Sequence, residues 1–184
     1  MVAKTLMTVV ELESVPDDGY QYELLDGELI RMPPSQPDRS SVGVMFSAYL
    51  VAHVVPPRLG MVFGADAGFW FAANPDTVLA PDCAFVRGDR LPARTDRRGF
   101  WRVAPDLVVE VVSPSDRRTA VLAKVDRYLG YGVRLVVFVW PPTRTMTLHR
   151  AGQDVEELSQ GDVFDAGDVV PGFRLPVTDL FLDL

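Results

Sequence analysis

The stretch Pro105-Asp106-Leu107-Val108-Val109-Glu110-Val111-Val112-Ser113-Pro114 constrains the fold most. Five of the eight residues up to Val112 are Leu or Val, and prolines bound the run on both sides. A continuous apolar run of this length fits a strand covered on both faces. Glu110 stands in its middle, flanked by four valines. An ionised carboxylate in such a place is costly unless a cation, a donor or a metal faces it. A second apolar strand, Ala80-Pro81-Asp82-Cys83-Ala84-Phe85-Val86, also carries one embedded acid, Asp82. The segment from Ser115 to Tyr131 reads as a helix and carries Lys124, the first lysine after Glu110. Two acids on apolar strands and a lysine on the next helix form a constellation that needs a chemical reason.

The remaining elements build a mixed α/β frame around these strands. Thr8 is placed to cap a short helix ending near Ser14. Asp26-Gly27 joins two apolar runs, Tyr20 to Leu25 and Glu28 to Met32, as a hairpin. Pro33, Pro34 and Pro37 make a stiff connection to a helix from Ser40 to about Val55, whose stripe is Val44, Ser47, Ala48 and Val51. Short strands follow at Met61 to Phe63 and Phe69 to Phe71, then the Asp82 strand, a polar loop from Arg87 to Arg102, and the Glu110 strand. After the Lys124 helix comes the strand Val133 to Trp140. The end is β-rich: Thr145 to His149 alternates, Val155 to Leu158 is its partner, and Pro171-Gly172-Phe173 turns into a last element. With 184 residues and 48% hydrophobic content, one domain is expected. Its parts are an N-terminal helix and hairpin extension (1–35), a core (36–140) and a β-rich C-terminal extension (141–184).

Composition narrows the function classes. The net charge of −7 argues against a surface coated with phosphate-binding groups. The segment from Arg87 to Arg127 is locally basic, with ten arginines and lysines against six acids. It reads equally well as a solvated arginine loop or as a phosphate-contacting one. The lone Cys83 cannot make an intrachain disulfide and lies in an apolar strand, so it is expected to be a core residue in a reducing cytoplasm. The start lacks a long apolar signal region, and the run Leu135 to Trp140 is only six residues long. That falls far short of the roughly 18–20 apolar residues that span a bilayer. No GxGxxG, P-loop, HExxH, CxxC or GxSxG motif occurs. His149 is expected at the surface, and the aromatic run Phe69-Trp70-Phe71 in the core rather than as a base-stacking platform.

A hard divalent cation such as Mg²⁺ would account for a glutamate among valines. It prefers carboxylate and carbonyl oxygen and keeps waters for substrate. Asp82 and Glu110 would each supply a carboxylate and Val111 its carbonyl. Ala120, Lys124 and Tyr128 share one helix face, so the lysine can point inward toward charge developing on a phosphate. The bland alternative stands beside it: each acid is simply salt-bridged to one of the many arginines.

Five ordered motifs carry a resemblance: YELLDGELI (Tyr22 to Ile30), APDCAFV (Ala80 to Val86), PDLVVEVVSPSDR (Pro105 to Arg117), the run Lys124 to Val133, and VVPGFRLPVTDLF (Val169 to Phe181). Together they resemble the Uma family of restriction endonucleases, a branch of the PD-(D/E)XK nuclease superfamily. The resemblance implies a restriction-endonuclease-like core, with a mixed central sheet flanked by helices and added N- and C-terminal β-hairpins. It further implies hydrolysis of DNA phosphodiester bonds, on double-stranded DNA, with Mg²⁺ (or Mn²⁺) as cofactor and no membrane partner. Carried over residue by residue, Asp82 and Glu110 match the two acids and Lys124 the lysine, here on the helix because Val112 holds the strand position. Glu23 is an auxiliary acid, and Glu28 a weaker candidate for the same part. Two positions depart from the family pattern: Arg39 where histidine is frequent, and Trp140 where aspartate is frequent. Members that cut both strands pair as homodimers, for which the apolar segment Val169 to Leu184 is the candidate interface. Two other readings share this chain: an inactive DNA-binding or assembly module, and a hydrolase of another phosphodiester such as RNA or a nucleotide.

Overall fold

The computed structural model describes residues 6–32, 36–113 and 116–181. Helix α1 (Val9–Glu13) starts at a capping box in which Thr8 and Glu11 satisfy each other's backbone donors. Strands β1 (Gln21–Leu25) and β2 (Glu28–Met32) form the expected hairpin. Its turn needs positive φ at both central residues, and Asp26 (51°) and Gly27 (78°) provide it. Pro33 and Pro34 of the expected stiff connection lie outside the described residues. Helix α2 (Pro37–Val54) begins earlier than expected, with proline in its first turn, where a missing N–H costs nothing.

Strands β3 (Gly60–Gly64) and β4 (Phe69–Ala72) come next. The Asp82 region departs from expectation: β5 (Thr77–Leu79) and β6 (Cys83–Arg87) are separate strands in different sheets, and Asp82 sits just ahead of β6. Pro81 explains the break, since it supplies no ladder donor and restricts the residue before it. The expected valine run is strand β7 (Leu107–Val111), and it is fully buried. Helix α3 (Arg118–Gly130) starts three residues later than expected, after a turn in which the Ser113 N–H donates to Asp116 at 2.8 Å; Pro114 and Ser115 lie outside the described residues. Strands β8 (Leu135–Trp140), β9 (Thr145–His149), β10 (Glu156–Leu158), β11 (Val163–Asp165) and β12 (Arg174–Pro176) complete the chain.

Six strands form the central sheet in the order β10-β9-β8-β7-β6-β3. Only the β7–β8 pair in it is parallel, and α3 makes that crossover. The core elements in chain order are α2-β3-β6-β7-α3-β8, with β4 and β5, which fall between β3 and β6, going to the other sheet. The N-terminal hairpin does not stand alone: β5 and β4 extend it into a four-stranded sheet, β2-β1-β5-β4.

Alternation along β7 sorts the two faces. Leu107, Val109 and Val111 pack on Val42, Phe46, Leu50 and Val54 of α2. Val108 and Val112 pack on Val121, Val125 and Tyr128 of α3. Glu110 shares this second parity and so faces α3. The α2 stripe expected from Val44 and Val51 is instead turned outward, with Val44 62% and Val51 42% exposed. This helix is apolar on two sides, and the side bearing the larger Phe46 and Leu50 buries more area.

Two further expectations are corrected. The C-terminal segment is not a free interface: Val169, Val170, Phe173, Leu175, Val177 and Leu180 are buried in the α2-side core, and residues 182–184 lie outside the described ones. His149 is buried, its ring hydrogen-bonded to Thr147 at 3.1 Å and set edge-on to Phe138. Several arginines of the basic loop are engaged within the fold. Arg90 pairs with the fully buried Asp106 at 2.7 Å, Arg87 with Asp89 at 2.9 Å, and Arg97 and Arg102 lie over Trp101 and Trp70. Cys83 is fully buried, as expected of a core thiol. Among the described residues no helix is long and apolar enough to cross a membrane.

Candidate active site

Backbone register brings the two acids together. Strands β6 and β7 pair with Cys83 opposite Val109, so one further residue along sets Asp82 opposite Glu110. The Val111 N–H, at the end of β7, donates to Asp82 Oδ2 at 2.7 Å and holds that carboxylate at the strand end. Glu23 arrives from the other sheet: it lies in β1, and its Oε1 accepts the Ala80 N–H at 2.9 Å. The kink at Ala80-Pro81 thus serves both acids, since the same turn donates to Glu23 and releases Asp82 from the β5 ladder.

Lys124 reaches this group from the middle of α3. Its Nζ lies 2.7 Å from Glu110 Oε1 and 3.8 Å from Glu23 Oε1. One turn on, the buried Tyr128 hydroxyl donates to the same Glu110 oxygen at 2.7 Å. Its ring is seated edge-on against Phe71. Arg39, in the first turn of α2, completes the set with an NH2–Asp82 Oδ2 contact of 2.9 Å. Three carboxylates (Glu23, Asp82, Glu110) therefore face two cations (Lys124, Arg39). All five line one small cavity of about 20 Å³. A wider cleft of about 140 Å³ adjoins it along Arg39, Glu110, Asp116 and Lys124.

The electrostatics follow from this crowding. Burial pushes the Glu110 carboxyl above the ordinary carboxylate range, with Lys124 opposing the rise and Asp82 and Glu23 adding to it. Burial is the largest single influence on the Lys124 ammonium and works against it, but the Glu110 charge and hydrogen bond, with the charges of Glu23 and Asp82, together outweigh it and hold the amine above its ordinary value. Lys124 is thus a fixed positive charge and not a proton acceptor at neutral pH. Burial, then the Glu110 charge, raise the Tyr128 hydroxyl, which stays a hydrogen-bond donor.

Asp82, Glu110, Lys124 and Glu23, the candidates named from the sequence, all line this one cavity. Glu28 is exposed at the start of β2, outside the residues that line it. Trp140 is used structurally, its Nε1 donating to Thr147 Oγ1 at 3.2 Å. Two members of the site escape a reading of the sequence: Tyr128, which stands there only as a residue on the Lys124 face, and Arg39, which stands there only as a departure from a pattern. The four-residue spacing from Lys124 is the available signal for Tyr128. Arg39 carries none, because its partner is 43 residues away.

Asp82 and Glu110 are all-oxygen donors, a set suited to a hard divalent cation bound by one or two carboxylates plus water and substrate phosphate. In the residues' present arrangement each is paired with a cationic side chain, and no group of three or more His, Cys, Asp or Glu in metal-holding geometry occurs among the described residues. A larger cavity, about 630 Å³, lies elsewhere. It is walled by Phe63, Phe69, Phe100 and Trp101, and its charged lining residues are the acids Glu13 and Asp66, so it offers a phosphate no cation.

A family model described as "Uma2: Putative restriction endonuclease" matches residues 9–178. Among solved structures, the fold is similar to the crystal structure of "a putative nuclease belonging to DUF820" from Anabaena variabilis ATCC 29413. The TM-score is 0.83 at 21% sequence identity, over 95% of this chain and 97% of that one. At that identity the likeness bears on the fold. No curated protein matches the chain.

Proposed function

The chain belongs to the Uma2 family, and from that premise we propose a divalent-metal-dependent endonuclease that hydrolyses DNA phosphodiester bonds by in-line attack of water. The observation that carries the reading is the Lys124–Glu110 contact of 2.7 Å in a cavity shared with Asp82 and Glu23. A lysine drawn inward onto a buried acid beside a second strand-end acid has no packing purpose that an apolar residue would not serve better. Asp82 and Glu110, with the Val111 carbonyl, would hold Mg²⁺ or Mn²⁺, which when bound supplies Lewis-acid activation of the phosphate and of water.

The chain's own groups divide the remaining work. Lys124 offers positive charge where negative charge grows on the phosphate oxygens, and its raised basicity keeps it an ammonium throughout. Glu23, 3.8 Å from that ammonium, is its second carboxylate partner beside Glu110. Tyr128 fixes the Glu110 carboxylate by its hydroxyl, so that the acid does not rotate when Lys124 moves toward substrate. The lone buried thiol suits a reducing cytoplasm, and cleavage of both strands would call for a homodimer whose interface is not the buried C-terminal segment.

Supercoiled plasmid incubated with Mg²⁺ or Mn²⁺ tests the reading: wild type nicks or linearises it, and Glu110→Gln and Lys124→Met do not. Equal product from purified Glu110→Gln overturns it. A second reading, a non-catalytic DNA-binding or assembly module, draws support from one observation: both candidate ligand carboxylates already have side-chain cations as partners. It predicts salt-sensitive binding with no metal-dependent product. RNA and cyclic or dinucleotide substrates in the same assay separate a hydrolase of another phosphodiester.

A further inference from the structure

We propose that Arg39 is an internal counter-ion that exchanges partners as the site loads: it holds Asp82 in the free protein and passes to a backbone phosphate when a divalent cation takes that carboxylate. The proposal rests on the nuclease reading of the site and adds a residue that the Asp-Glu-Lys set does not contain.

Asp82 Oδ2 accepts from two donors, the Val111 N–H at 2.7 Å and Arg39 NH2 at 2.9 Å. The backbone donor belongs to the sheet and stays. The guanidinium is the removable one. Its grip is partial: a single N–H reaches Asp82, whereas arginine binds carboxylate most firmly through two parallel bonds. Arg39 Nε is enclosed and has no hydrogen-bond partner among the described residues. A buried donor without a partner is destabilising until a ligand supplies an acceptor. The side chain keeps 23% of its surface exposed and lines three adjoining spaces: the cavity holding Glu110 and Lys124, the cleft along α3, and a groove of about 450 Å³ along α2. From its place in the first turn of α2 it therefore borders both the acids and the open groove.

A cation at Asp82 and a guanidinium on the same oxygen repel each other, so one displaces the other. Arg39 then weakens metal binding in the free protein and, once displaced, presents its planar fork to the acceptor it matches best, a phosphate. Metal and nucleic acid bind with positive coupling as a result, and the coupling is reciprocal.

Two titrations test this on Arg39→Met, Arg39→Lys, Glu110→Gln and wild type, each checked for folding by circular dichroism. Mn²⁺ is titrated calorimetrically, and a labelled DNA duplex is titrated by fluorescence anisotropy with and without Ca²⁺. Arg39→Met is expected to bind Mn²⁺ about tenfold more tightly than wild type, and to lose about tenfold of the gain that Ca²⁺ gives duplex binding, the worth of one charge-assisted contact. Arg39→Lys falls between, and a several-fold rise there carries the test if Arg39→Met does not fold. Unchanged or weaker Mn²⁺ binding in these variants, with wild-type binding that Glu110→Gln abolishes, overturns the role of Arg39 and leaves the nuclease reading intact. Wild-type protein that binds no Mn²⁺, or binds it equally after Glu110→Gln, brings down both.

Discussion

Replacing Lys124 by methionine asks the buried acids to do without their nearest cation. Methionine keeps much of the lysine stem's apolar contact, so the change is chiefly one of charge. Glu110 is 4% exposed and would retain the Tyr128 hydroxyl but no ammonium at 2.7 Å. Removing one partner of a buried pair typically costs 3–5 kcal/mol, and the quarter exposure of the Lys124 side chain places this case at about 3 kcal/mol near pH 8. The cost is pH-dependent, with a definite sign. Glu110 titrates above its ordinary value of 4.5 in the folded protein, and further above it without Lys124. Below pH 4.5 the folded and unfolded chains both keep that proton, and the favourable contribution of the neutral acid is complete. As pH rises through the folded value the unfolded chain releases the proton more readily and stability falls. The amine lost from wild type titrates above 10.5, so it adds no slope between pH 5 and 8. Urea unfolding of wild type and Lys124→Met at pH 5, 6, 7 and 8 should therefore give a difference that is small at pH 5 and grows to about 3 kcal/mol. Adding Glu110→Gln should recover about 1–3 kcal/mol of it at pH 8. A pH-independent difference, or strict additivity of the two substitutions, would refute the coupling.

Tyr128→Phe preserves the ring against Phe71 but removes a hydrogen bond to a charged acceptor, so it should cost about 1.5–3 kcal/mol and lower cleavage without abolishing it. Denaturant unfolding and initial cleavage rates check the two effects. The buried Cys83 thiol, pushed up to about 12 chiefly by burial, should not react with Ellman's reagent in the native protein at pH 8 and should react once in urea. Arg90→Ala should destabilise by about 2 kcal/mol, because Asp106 is left fully buried with the Arg87 N–H as a remaining donor. At matched folded fraction its DNA affinity should equal that of wild type, a result that separates structural arginines from phosphate contacts.

Much of the fold is legible in the sequence because local chemistry and tertiary context agree. The capping box at Thr8, the Asp26-Gly27 turn and the valine run at β7 each carry a local signal, and each forms where that signal points. The inward lysine is legible too, because Ala120, Lys124 and Tyr128 recur at helical spacing. What is not legible depends on choices that only packing makes. Helix α2 has two apolar sides, and Phe46 with Leu50 outcompetes Val44 with Val51 for the sheet. Pro81 marks the break locally, but that the strand before it joins β1 and β4 in a second sheet is a result of pairing that no local pattern encodes. His149 closes an alternating strand yet is covered from the α3 side, beside Phe138. Arg39 meets Asp82 only because α2 and β6 converge, so its role is invisible in a chain read residue by residue.

Crystals soaked in Mn²⁺, with anomalous diffraction recorded above and below the manganese edge, test the metal-dependent site most directly. A peak is expected between Asp82 and Glu110 in wild type, with Arg39 turned away from Asp82, and no peak there in Glu110→Gln. A wild-type map without manganese at these carboxylates, at a concentration that fills weaker sites on the same molecule, would make Glu110 a structural acid and contradict the nuclease reading.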